Sequence, residues 1–485
     1  MQNPTNSETP VAVFVFTAFA VPALFSLMGA SDCLLTLLLT NAFAIGLVFF
    51  SVPSHDKYLH KTRIAMLVYL GLLSSFAVLS YKSSLAHGSP QSPFVPGGDG
   101  EAYYALGCEL SDAVSSSNFL ATVENLRINY RGYPLILSLL FAALGKSLFV
   151  GIAFNYLLVF SSIILIFAVS LRTSGSGPAF YTTLLSCLTP HFFAQGTILQ
   201  KDAVIIFAFA LFLYSSVFVL RSSRAFSSMT PWLGLVLSLL LLGITRLPFL
   251  LVLPAHVALL SMFRTSRITK SLSACIGIFL ILAIGLIAMK EIFDRFAQGG
   301  IETVTSYSLG RLTDTESLKS SVDASSTGMV RWLTTPLANA NILQRISMVP
   351  LLVLIQYLLP FVFWTTQFID VHTWFFAVNQ LHLLWLVLVG PAFLFSILQF
   401  TKQNNATLQA SFITGLLLYA FVAYVYLGVI PRYATPALVF ILPLVGVVVF
   451  SSLGSLQLKQ RLYQFYFAYF GLGFLGLFVY LIRSA

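Results

Sequence analysis

Charge is what this chain has least of. Asp, Glu, Lys and Arg make up 9% of its 485 residues, where a soluble domain carries roughly a quarter. With 58% hydrophobic residues and a mean hydropathy of +0.90, that scarcity excludes an ordinary soluble domain. Acidic residues are scarcer still, 16 against 26 Lys and Arg, for a net charge of +10. In a soluble protein that balance would suggest nucleic acid. Here the cations gather in short loops between apolar runs, where they set orientation in a bilayer, and no nucleic-acid partner is expected. Cysteine is nearly absent. The four present (Cys33, Cys108, Cys187 and Cys275) are isolated, with neither a CxxC pair nor a metal spacing, so no disulfide is expected. Residues 1–10 hold no Lys or Arg, and the apolar run after them lacks a clear cleavage site, so the first span is expected to stay.

What is there is a series of apolar runs. A helical span takes ~20 mostly apolar residues, and the runs predict an all-α polytopic membrane protein of about thirteen transmembrane helices. Runs at 11–28, 33–52 and 64–80 open the chain, and Lys57, Lys61 and Arg63 place loop 54–63 in the cytoplasm. Residues 81–146 then form a first outer loop. It closes on Tyr130-Arg131-Gly132-Tyr133-Pro134 and an apolar run to Gly145 that is short for a span. Pro134 suits the first turn of a juxtamembrane helix at the outer interface. Spans follow at 147–171, 179–196 and 203–220, then two short ones about Thr245-Arg246-Leu247-Pro248, then 271–289. Residues 290–375, rich in Ser, Thr and Gly in their first part, form a second outer loop whose apolar stretch 346–363 is read as interfacial. The last spans are 381–400, 411–427, 436–451 and 462–482. No internal repeat is apparent. The whole chain, 1–485, reads as a single transmembrane domain, with 1–63 as an additional N-terminal helix pair.

Ionisable groups beside membrane spans are costly and usually face the protein interior or a wet cavity. Four sets fall on the same predicted outer face: Asp99 with Glu101, Arg127 with Arg131, Lys201 with Asp202, and Arg246 with Arg432. Each has a plain structural explanation. Asp99 is placed to cap a helix. Lys201-Asp202 suits a neutralised pair at a helix end, and Arg246 and Arg432 suit snorkelling to headgroups. Their shared side suggests more. Arginines hold phosphate by bidentate hydrogen bonds, and a carboxylate takes a proton from a hydroxyl as a bond forms. His191, His256 and His382 are scattered on apolar segments, where core packing accounts for them better than metal ligation.

Gly98-Asp99-Gly100-Glu101-Ala102-Tyr103-Tyr104-Ala105-Leu106-Gly107 resembles the first-loop acidic motif of the GT-C class of membrane glycosyltransferases, which includes protein mannosyltransferases and aminoarabinose transferases. Arg131-Gly132-Tyr133-Pro134-Leu135 is similar to their Gly-Tyr-Pro segment. Thr189-Pro190 with Lys201-Asp202, Thr245-Arg246, and Pro431-Arg432-Tyr433 with Pro436 resemble later motifs in the same order. The pattern departs where Gly100 separates the two carboxylates, and where two spans precede the one that is normally first.

The resemblance implies a GT-C-type bundle that moves a sugar, with inversion, from a polyprenyl-phosphate-linked donor to a lipid, glycan or protein acceptor. It makes Asp99 the general base and Glu101 its assistant. Arg131, Lys201, Arg246 and Arg432 would hold the donor phosphate, and Tyr103, Asp202 and Tyr433 would contact substrate. No cofactor is demanded; a divalent metal is compatible with the carboxylates and would accompany a diphosphate donor. The layout implies a bacterial inner (plasma) membrane with the site facing the periplasm or exterior. Two other classes fit the same charges: a transporter or flippase for a lipid-linked sugar, and an O-antigen-type polymerase or ligase acting through 290–345.

Overall fold

The computed structural model describes residues 9–28, 31–53, 55–86, 99–114, 128–221, 229–246, 249–250, 252–263, 342–353, 373–403, 405–426 and 434–484. Among these, every regular element is helical. Seven helices are long and apolar enough to cross a membrane: Ser31–Ser51, Lys57–Ala86, Leu148–Ser174, Asp202–Val219, Leu384–Lys402, Ala406–Ala423 and Thr435–Gly454. Among the described residues the protein is therefore all-helical and suited to a membrane. The expected span at 271–289 and most of the second outer loop lie outside the described residues.

The helices of the first compact unit, residues 1–214 with 240–245, are α1 (Thr9–Leu27), α2 (Leu34–Ser51), α3 (Lys57–Ala86), α4 (Asp99–Val114), α5 (Ile128–Leu144), α6 (Leu148–Ser174), α7 (Ser176–Cys187), α8 (Pro190–Thr197) and the start of α9 (Asp202–Arg221). Asn41 is one of the residues that tie on the N-terminal pair. Asn41 of α2 donates to the Ala18 carbonyl of α1 at 3.1 Å and to Ser74 of α3 at 3.4 Å, and accepts from Tyr156 of α6 at 3.4 Å. A buried polar side chain inside a bundle has to find such partners.

Two contacts fix the ends of this unit. Asp56, just before α3, accepts from the Ser176 hydroxyl at the start of α7 and from the Tyr58 N–H at 2.7 Å. At the other end Tyr81 of α3 meets Phe149 of α6, ring centroids 5.4 Å apart. Helices α3 and α6 are thus antiparallel. Ser147 caps α6 by accepting from the Phe149 N–H, and Gly175 ends it at φ +90°, a conformation that favours glycine.

Three local expectations change. Asp99 is the first residue of α4 and not the residue before it, so both carboxylates lie in its first turn. Helix α5 begins six residues before Pro134, which is therefore interior; proline withholds one backbone bond there, the one Tyr130 would have accepted. The apolar run 179–196 is two helices, because Pro190 lacks an N–H and holds Thr189 extended (ψ 109°).

The second unit comprises residues 215–239 and 246–485. It contains most of α10 (Thr230–Arg246), then α11 (Val252–Phe263), α12 (Ile342–Val353), α13 (Thr373–Gln399), α14 (Ala406–Tyr426), α15 (Leu438–Gly454) and α16 (Leu456–Ser484). Helix α14 packs against α11, α12 and α15, and α13 packs against α16. His256 bridges α11 to α14 through the Thr414 hydroxyl at 2.7 Å. Gly415 admits Ile441 and Gly390 admits the Tyr469 hydroxyl, each within 3 Å of where a Cβ would be. Glycine there sets how closely the helices approach.

Candidate functional site

The polar residues at the Tyr81 end of the first unit are assembled from four separate stretches. The first is the start of α4. A Cβ on Gly100 would lie 2.9 Å from the Leu199 carbonyl oxygen, so Asp99 and Glu101 flank a point where α4 rests on the main chain of 198–200. Both carboxylates are half-buried. In the first turn of a helix they also face its unpaired N–H groups, which favours negative charge.

The second stretch is 198–202 itself. Asn155, in the second turn of α6, donates to the Ile198 carbonyl at 2.7 Å and to the Gln200 carbonyl at 2.9 Å. That pins a short non-helical link between α8 and α9. Lys201 follows, its ammonium 5.9 Å from the Tyr103 ring centroid, near the ~6 Å limit for a cation–π contact. Asp202 opens α9 and is 4% exposed.

The third stretch is α5. Tyr133 donates to the Asn155 side-chain oxygen at 2.8 Å, and its ring meets that of Tyr103 edge-on at 5.2 Å. Burial raises the Tyr133 phenol above its ordinary pKa; the hydrogen bond to Asn155 opposes this in part, and Asp202 adds to it. The apolar part of α5, Gly132–Leu144, is shorter than the span length. The side chain of Arg131, one residue before Gly132, lies outside what is described.

The fourth is the end of α10. A Cβ on Gly132 would fall 1.6 Å from the Ile244 carbonyl oxygen and 3.2 Å from the Thr245 nitrogen. The backbones of α5 and α10 touch at this point, which only glycine permits. Arg246 comes next in the chain and belongs to the second unit. It is half-buried, with its guanidinium 5.4 Å from the Phe249 ring.

Asp99, Glu101, Tyr103, Lys201 and Asp202 are thus brought to one end of one unit, opposite Asp56, Ser176 and the basic end of α6 at Arg172. Arg432 and Tyr433 lie outside the described residues; the chain resumes at Ala434, with Thr435 buried. Among the described residues no three His, Cys, Asp or Glu side chains form a group able to hold a metal. Sequence reasoning missed Asn155, although a lone Asn in the apolar run 147–171 is the kind of buried polar residue that signals a role. It also missed Gln195. No protein-family model, curated protein or solved structure matches this chain.

Proposed function

We propose that this chain is a membrane glycosyltransferase of the GT-C type, transferring a sugar from a polyprenyl-phosphate-linked donor to a hydroxyl acceptor. The observation that carries this reading is the docking of α4 on Leu199 through Gly100, between the two carboxylates and two residues before Lys201. That contact brings the acidic turn and the link leading to Lys201 to one end of a helical bundle, where a lipid phosphate and an acceptor hydroxyl would have to meet.

In this mechanism Asp99 takes the proton of the acceptor hydroxyl, and the freed oxygen attacks the anomeric carbon. The bond from that carbon to the phosphate oxygen breaks on the opposite face, so the configuration inverts and a polyprenyl phosphate leaves. Glu101 orients the acceptor. Lys201, anchored over Tyr103, balances the charge that develops on the leaving phosphate. Arg131, Arg246 and Arg432 share that task by the resemblance, and Asp202 and Tyr433 contact substrate. The site faces away from the cytoplasm, as the basic loops at the other end imply.

The test is the lipid content of the full chain purified from native membranes in mild detergent, read by mass spectrometry. A polyprenyl-linked sugar is expected; ordinary phospholipids alone would contradict the reading. The transporter alternative has one observation in its favour, the crossing broken between α7 and α8, because broken helices line many transport sites. Sugar transfer by the purified protein separates the two.

A further inference from the structure

Helix α8 carries a polar side chain that the mechanism above does not use. Gln195 is fully buried, and neither its amide oxygen nor its amide nitrogen has a hydrogen-bond partner. Such a group is expensive to leave unsatisfied, and native proteins rarely do so without a reason. His191 lies one helical turn earlier, 1% exposed. The opposite side of α8 is accounted for. Phe193 meets Tyr69 and Phe76 of α3, and Gly196 lies against Leu73 of α3 and the Tyr156 backbone of α6. By helical register His191 and Gln195 share the face turned away from α3 and α6. Leu199, where Gly100 docks, is the fourth residue after Gln195, so their Cα atoms are at most about 14 Å apart.

We propose that Gln195, with His191 beside it, forms a binding site for an uncharged, hydroxyl-rich group, namely the sugar of the lipid-linked donor. The inference rests on the glycosyltransferase reading and deepens it by naming the residue that reads the sugar. An amide presents one acceptor and two donors without charge. Sugar hydroxyls do the same in reverse, each giving and accepting. Their phosphate would need cations, and Lys201 supplies one closer to α4. A buried water would also satisfy the amide, and the test separates the two.

The experiment measures thermal unfolding of the full chain in detergent with three probes: bare undecaprenyl phosphate, and undecaprenyl phosphate carrying a hexose or an N-acetylhexosamine. Wild type and Gln195→Met are compared. For wild type, at least one sugar-carrying lipid is expected to stabilise more than the bare phosphate. Gln195→Met should unfold at the same temperature as wild type or higher when no lipid is added, because an unsatisfied amide has been removed. It should bind the sugar-carrying lipid about tenfold or more weakly, matching the bare lipid. If Gln195→Met keeps the sugar-dependent increment, the proposal is overturned. A marked loss of lipid-free stability, or failure to fold, overturns it too, since the amide is then satisfied within the fold or by water. If bare phosphate stabilises wild type and neither sugar adds anything, only the Gln195 assignment falls. Should no probe stabilise wild type, the glycosyltransferase reading falls first and takes this one with it.

Discussion

Gly100 lies against the main chain of Leu199, whose carbonyl oxygen is 2.9 Å from where a β-carbon would be. The residue that parts the two carboxylates in sequence is therefore the one that lets their helix turn reach the link before Lys201. A third atom on that glycine has to displace backbone, which gives way less readily than a side-chain tip.

Replacing Gly100 by Ala is expected to cost about 1–3 kcal/mol of stability and a larger share of activity. A shift of the Asp99 turn by ~1 Å is enough to lower turnover about 100-fold. Thermal unfolding and a sugar-transfer assay on the same preparation check this. Full turnover in Gly100→Ala would mean that the contact does not set the site.

Gly132→Ala should be more damaging. The added carbon would fall 1.6 Å from the Ile244 carbonyl oxygen, so α5 and α10 have to separate, at a cost of about 3 kcal/mol or more. Gly46 on α2 provides the contrast, with nothing within 4 Å of its hypothetical Cβ. Gly46→Ala is expected to stabilise by about 0.5–1 kcal/mol through helix propensity. Chemical or thermal unfolding of the two variants checks the order.

Asn155 carries three hydrogen bonds, to Tyr133, Ile198 and Gln200. Asn155→Leu leaves a buried hydroxyl and two carbonyls without that partner, and is expected to cost about 2–4 kcal/mol. Tyr133→Phe removes one of the three and should cost about 1 kcal/mol. Equal unfolding temperatures for the two would show that the link 198–200 does not depend on Asn155.

Asp56, at the opposite end, gives a pH dependence. The Ser176 hydroxyl, and after it the Tyr58 N–H, hold its pKa below the ordinary 3.8. The folded state then favours the charged form more than the unfolded state does. Its contribution is complete above the unfolded pKa and is lost as pH falls through the folded value. Ser176→Ala should shrink the acid-side loss of stability below pH ~4. An unchanged acid limb in unfolding curves from pH 7 to 3 would remove the Asp56–Ser176 contact from the account.

How far this was readable beforehand differs by level. Apolar runs gave seven of the expected thirteen spans, since a helix such as Leu148–Ser174 needs only its length and composition to be seen. Breaks were harder. The run 179–196 reads as one span because hydropathy ignores that Pro190 withholds a hydrogen bond. The site's charged residues were legible as separate motifs. What brings them together was not, because it lies in glycines. Nothing in the letters around Gly132 says that its neighbour is Ile244, more than a hundred residues on, and nothing around Asn155 says that it clasps 198–200.

The central claim is that the end of the bundle holding Asp99 performs sugar transfer. It is tested most directly by single-turnover transfer from a radiolabelled polyprenyl-phosphate sugar, comparing wild type, Asp99→Asn and Asp56→Asn at equal folded protein. Transfer is expected from wild type and from Asp56→Asn, with about 100-fold or more loss in Asp99→Asn. Transfer by Asp99→Asn at the wild-type rate, with Asp56→Asn unaffected, would contradict it.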